Sequence, residues 1–92
     1  MVQEGDLVAI FNSIHRVMKA EKILKQNRAD ILLIPVPRQL NSDCGLAIRL
    51  APEARAAVLD LLEREKLLPA ELYQLIDGRY TPLELPWAPA RQ

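Results

Sequence analysis

The chain has one cysteine, Cys44, in the stretch Asn41-Ser42-Asp43-Cys44-Gly45 that follows Pro35 and Pro37. A cysteine used as a small apolar filler sits on a hydrophobic face among leucines and valines. This one follows three polar residues in a loop. A thiol becomes a working nucleophile when a helix N-terminus or a nearby cation stabilises its thiolate and solvent can reach it. Asn12-Ser13-Ile14-His15 could open a helix, and His15 in its first turn could exchange a proton with the sulfur. Arg38, in the cysteine's own loop, could hold an anion, and Gly45 would let another molecule approach closely. Asp43 works against them, since a neighbouring carboxylate disfavours a thiolate. Each residue also has a plainer reading. Ser13 is a helix cap first and a ligand donor second, His15 an exposed first-turn residue, and Arg38 a solvated cation. There is no CxxC pair, so a self-contained dithiol cycle is disfavoured.

These residues need elements to position them. Asp6 to Phe11 is a short apolar run of strand formers, read as a buried strand. A helix follows from Ile14 to Gln26, with Asn12 or Ser13 as cap and Ile14, Val17, Met18, Ala20 and Leu24 on one face. The charged residues of its second half read as a solvated face. Asp30 to Val36 is a second strand, stopped by Pro35 and Pro37. Leu46 to Leu50 is a third, with Leu46, Ile48 and Leu50 on one side and Ala47 and Arg49 on the other. Arg49 is expected to pair with Glu21 or to face solvent. Pro52 opens a second helix running to about Lys66, with Ala54, Val58, Leu61 and Leu62 inward. Ala70 to Asp77 reads as a fourth strand, ended by the turn signal Asp77-Gly78.

The order strand, helix, strand, strand, helix, strand predicts an α+β fold of the ferredoxin-like βαββαβ type: two helices on one face of a four-stranded antiparallel sheet. Residues 1–78 would form this domain and 79–92 a proline-rich tail, docked through Trp87. A crossover helix makes the first two strands parallel. The loops after them therefore share one end of the sheet, which brings Ser13 and His15 to the same edge as Arg38, Cys44 and Gly45.

Composition narrows the function. Ninety-two residues, half of them hydrophobic, suffice for one modest core. Twelve basic residues balance twelve acidic ones, so a nucleic-acid partner is not expected. No apolar run reaches the length of a membrane span and no signal peptide is visible. A single cysteine fits a reducing compartment, so a cytoplasmic location is expected. One cysteine and one histidine also argue against a metal site, and no cofactor is expected. The apolar content of the sheet points to a possible homodimer through its uncovered face.

Phe11 to Lys25, Leu33 to Arg38 and Ser42 to Arg49 together resemble the selenium/sulfur (Se/S) carrier protein-like family of small bacterial domains. The shared pattern is Ser13 and His15 opening the first helix, Glu21-Lys22 within it, Pro35-x-Pro37-Arg38, and Cys44-Gly45 before the third strand. It covers roughly the first half of the chain. The resemblance implies a sulfur or selenium atom held on Cys44 as a persulfide or selenopersulfide and passed between donor and acceptor proteins. A carrier needs an accessible thiol and a partner surface rather than a full catalytic apparatus, so a self-contained enzyme is the less favoured reading. The alternative is a module that senses a small anion or binds a protein, with Cys44 incidental. Its anion would sit at the helix N-terminus with Arg38.

Overall fold

In the computed structural model, which describes residues 2–41 and 44–87, the first strand, β1 (Leu7–Ile10), is buried along its whole length. A strand covered on both faces is the physical counterpart of an unbroken apolar run. Helix α1 (Ile14–Gln26) follows after three residues. Ser13 caps it from extended backbone, its hydroxyl oxygen accepting from the Arg16 amide at 3.1 Å. Strand β2 (Ile31–Pro35) and strand β3 (Leu46–Leu50) come next, then a short 3-10 turn at Pro52–Ala54 and helix α2 (Arg55–Arg64). Strand β4 (Glu71–Ile76) and strand β5 (Arg79–Pro82) complete the sheet.

The sheet is antiparallel throughout and ordered β2-β3-β1-β4-β5. Five strands replace the four expected, because β4 turns back on itself over Asp77-Gly78. Asp77 and Gly78 both have positive φ, 51° and 76°, the twist that a two-residue hairpin requires. The Glu4 carboxylate accepts from both amides of this turn, that of Gly78 at 3.2 Å. Arg79–Pro82 therefore belongs to the sheet rather than to an extended tail. Proline at both ends of the sheet order, Pro35 in β2 and Pro82 in β5, sits where an edge strand tolerates a missing donor.

Alternation along the strands separates two apolar clusters. Leu7, Ala9, Ile48, Leu50 and Leu72 pack with Val17, Ala20 and Leu24 of α1 and Val58 and Leu62 of α2, so both helices cover one face. Leu83 and Leu85, beyond β5, also pack against this cluster, and the Trp87 indole N–H donates to the Pro69 carbonyl at 3.0 Å. The segment after β5 is thus docked as far as Trp87; residues 88–92 lie outside the described residues. On the opposite face Val8, Ile10, Ile34 and Ala47 are no more than 3 % exposed, covered by Val2, Val36, Leu40, Tyr73 and Tyr80 of the same chain. Much of the apolar face on which a homodimer was expected is covered by the chain's own residues, while Leu32 on β2 stays exposed. Two inward residues expected in α1 also differ: Ile14 and Met18 are exposed, because the buried stripe is Val17, Ala20 and Leu24. No helix among the described residues is long and apolar enough to cross a membrane.

Candidate functional site

The end of β1 delivers the chain to α1 through Phe11, Asn12 and Ser13, and the β2–β3 loop returns at the same end of the sheet. The Val36 amide donates to the Gly45 carbonyl at 3.0 Å, closing that loop just after Cys44. Gly45 then takes a left-handed φ of 72°, which a side chain would resist. Among the described residues other than its chain neighbours, a Cβ at Gly45 would meet no atom within 4 Å, so the glycine answers to backbone conformation rather than to crowding.

The sulfur of Cys44 reaches across this end of the molecule. Its S–H faces two carbonyl oxygens, that of Leu46 at 3.2 Å and that of Phe11 at 3.5 Å. Phe11 lies two residues before the α1 cap, so Cys44 and the opening of α1 share one rim although they are far apart in sequence. The thiol is partly buried and packs against the cluster under the helices. In both contacts the thiol stands as the donor to a carbonyl.

The other expected residues fall as follows. Ser13 serves as the α1 cap, its oxygen engaged by the Arg16 amide. His15 is exposed in the first turn of α1, and Arg38 is exposed in the loop after β2. Ser42 and Asp43 lie outside the described residues. No group of three or more metal-binding side chains occurs among the described residues.

Two features escaped the sequence reading. Arg16 donates to the Lys66 carbonyl at 3.1 Å, tying the start of α1 to the chain just after α2. Lys66 has a positive φ of 58°, a helix-ending conformation, so the guanidinium meets the carbonyl of the residue just past the α2 cap. Nothing in the local sequence marks that pairing. The second is at the far end of the sheet. Arg49 pairs neither with Glu21 nor with solvent: it donates to both Asp6 oxygens, at 2.8 and 3.1 Å, and to Asp30 at 3.1 Å. Asp6 is only 4 % exposed, and the Arg49 hydrogen bond holds its carboxyl below the usual carboxylate range, against the opposing effect of burial. The signal for it was the strand alternation that put Arg49 on the face away from α1 and Glu21. Antiparallel pairing with β1 then brings it to Asp6.

A family model described as "Putative Se/S carrier protein-like" matches residues 6–74, about three quarters of the chain. The match contains Ser13, His15, Arg38, Cys44 and Gly45 and ends inside β4. No significant match is found among curated proteins or among solved structures.

Proposed function

The chain belongs to the Se/S carrier protein-like family, and from that premise we propose that it carries a sulfur or selenium atom on Cys44 between a donor and an acceptor protein. The observation that supports this most is the position of the sulfur, partly buried at a rim beside the opening of α1 and followed by a left-handed glycine. On this reading the first four strands and two helices are a ferredoxin-like unit, extended by β5. The unit acts with protein partners in a reducing cytoplasm and is not a self-contained enzyme.

The transfer needs no external oxidant. A donor persulfide presents its outer sulfur, and Cys44, having given up its proton, attacks that atom. A bond forms between the Cys44 sulfur and the outer sulfur while the bond between the two donor sulfurs breaks. The donor cysteine leaves as a thiolate and takes up a proton. Donor persulfide and Cys44 thiol thus become donor thiol and Cys44 persulfide. His15 exchanges the proton, and Arg38 with the α1 amide end favours the anionic terminal atom. The same steps apply to selenium.

The resting hydrogen bonds give the cycle a consequence. A persulfidated Cys44 has no hydrogen on its inner sulfur, so the contacts to Phe11 and Leu46 lose their donor.

Incubation with a cysteine desulfurase and cysteine tests the reading. Intact-protein mass spectrometry should show a single adduct of one sulfur atom on Cys44, reversed by a thiol reductant and absent in Cys44→Ser. A reduced, alkylatable Cys44 that never gains the adduct would refute the carrier reading and favour the anion- or protein-binding alternative.

A further inference from the structure

We propose that the outward face of α1 is the docking surface for the protein that exchanges sulfur with Cys44, and that this partner presents an acidic surface with a small apolar patch. The inference rests on the carrier reading for the partner's task, while the surface itself is a property of α1. Of the four large apolar side chains left exposed among the described residues, two lie one turn apart on this helix: Ile14, 42 % exposed, and Met18, 44 % exposed. Single exposed apolar residues are ordinary, but a pair at i and i+4 on one helix face is a contiguous anchor.

The surroundings of that pair are basic. His15, Lys19, Lys22 and Lys25 are exposed on α1. Among the described residues the helix holds one ion pair, Lys25 to Glu21 at 2.9 Å, which leaves Lys19 and Lys22 facing water. The chain as a whole has no net charge, so this concentration is local. A cationic field around an apolar anchor selects a partner of opposite charge and speeds its approach.

Position joins the patch to the thiol. Ile14 and His15 follow directly on Ser13, and Cys44 touches the Phe11 carbonyl two residues earlier. Any macromolecule that brings a sulfur atom to Cys44 must cover this rim, and α1 rises from it for about 20 Å at 1.5 Å per residue. The patch does not fit a membrane. Val17, Ala20 and Leu24 are fully buried in the core, so only Ile14 and Met18 could enter a bilayer. Nor does a chain of zero net charge with two uncommitted lysines on this face fit a nucleic acid.

The experiment measures Cys44 loading by a cysteine desulfurase alongside binding of the same desulfurase to 15N-labelled Cys44→Ser protein. The double variant Lys19→Glu/Lys22→Glu and the double variant Ile14→Ala/Met18→Ala should each slow loading at least about tenfold at limiting desulfurase, and added salt should slow the wild type but not the lysine variant. Their Cys44 alkylation rate by iodoacetamide and their thermal midpoints should match the wild type. Amide perturbations on binding should concentrate in α1. Loading that proceeds normally in both variants overturns the docking face and leaves the carrier reading intact. Binding through α1 without loading does the reverse. Absence of both binding and loading refutes both. Perturbations centred away from α1, or lysine-dependent co-sedimentation with phosphatidylglycerol vesicles, also overturn the proposal.

Discussion

Where β1 begins, Arg49 forks onto Asp6 and reaches Asp30, the Gln3 amide donates to the same Asp6 carboxylate, and Glu4 clamps the β4–β5 turn. Where β1 ends, the side-chain links include a thiol facing two carbonyls, a serine cap on its own helix and a guanidinium on the carbonyl just past α2. The first end commits its charged groups to one another or to backbone amides. The second leaves His15, in the first turn of α1, and Arg38, in the loop after β2, in water. Charges committed to each other stabilise a sheet and are of no use to a partner. Those left in solvent contribute little to stability and remain available for chemistry.

If that contrast is right, its largest consequence is at Arg49. The side chains of Arg49 and Asp6 are 17 % and 5 % exposed, so Arg49→Ala strands a buried carboxylate. The expected loss is about 3 kcal/mol in urea unfolding. Replacing both partners at once, Asp6→Leu with Arg49→Met, should recover most of it. A loss under about 1 kcal/mol for Arg49→Ala would mean this end is not the anchored one.

Acid should sharpen the same contrast. The Asp6 carboxyl is held below its ordinary value in the folded chain, chiefly by the Arg49 hydrogen bond. The unfolded chain therefore takes up this proton first, near the reference value of about 3.9. The contribution is fully present above that value and is lost as pH falls through the lower folded value. Urea midpoints should drop on acidification across this window, and Asp6→Asn should flatten that part of the slope. Because Asp6 belongs to the structural end, desulfurase loading of Asp6→Asn at neutral pH should match the wild type.

These two expectations rest on a pairing that one-dimensional reading could not reach, and the reason is instructive. The helix Ile14–Gln26 and the strand Leu46–Leu50 were legible because cap, periodicity and alternation are local. The shared rim of Ser13 and Cys44 was legible because a right-handed crossover fixes which loops meet. Arg49 was legible only as lying on the side of its strand opposite Leu46, Ile48 and Leu50. Its expected partners, Glu21 or solvent, were wrong because the true ones depend on register between strands over 40 residues apart. Strand β5 was missed for another reason. Arg79–Pro82 is a short, polar edge strand with little apolar signal, and its hairpin turn is held by Glu4 from the opposite end of the chain. Ile14 and Met18 were assigned inward because a broad 3.6-residue stripe cannot show which of its margins the sheet will cover.

Gly45 lies between the two extremes. Gly45→Ala meets no steric neighbour, so its cost is the left-handed backbone alone, about 1 kcal/mol. Gly45→Asn, which tolerates that conformation better, should cost less. If the glycine matters for access to sulfur, both variants should lower the iodoacetamide alkylation rate of Cys44 in the folded protein. Equal stability loss in Ala and Asn variants, with unchanged alkylation, would make Gly45 an ordinary loop residue.

The smallest effect on stability is expected at the residue with the largest effect on function. Cys44→Ser keeps a hydroxyl donor that can face the Phe11 and Leu46 carbonyls, so unfolding free energy should stay within about 0.5 kcal/mol of the wild type. Cys44→Ala removes the donor and some packing against the cluster under the helices, which should cost about 1 kcal/mol. Sulfur loading should vanish in both. The order of the two variants tests what the thiol is doing. If the contacts to the carbonyls are the resting state of a carrier, Ser must be better tolerated than Ala. If Cys44 is a packed apolar filler, the hydroxyl is the worse replacement, because its burial is then uncompensated. In that case the rim would be a second structural anchor, and the division between the two ends of the sheet would disappear.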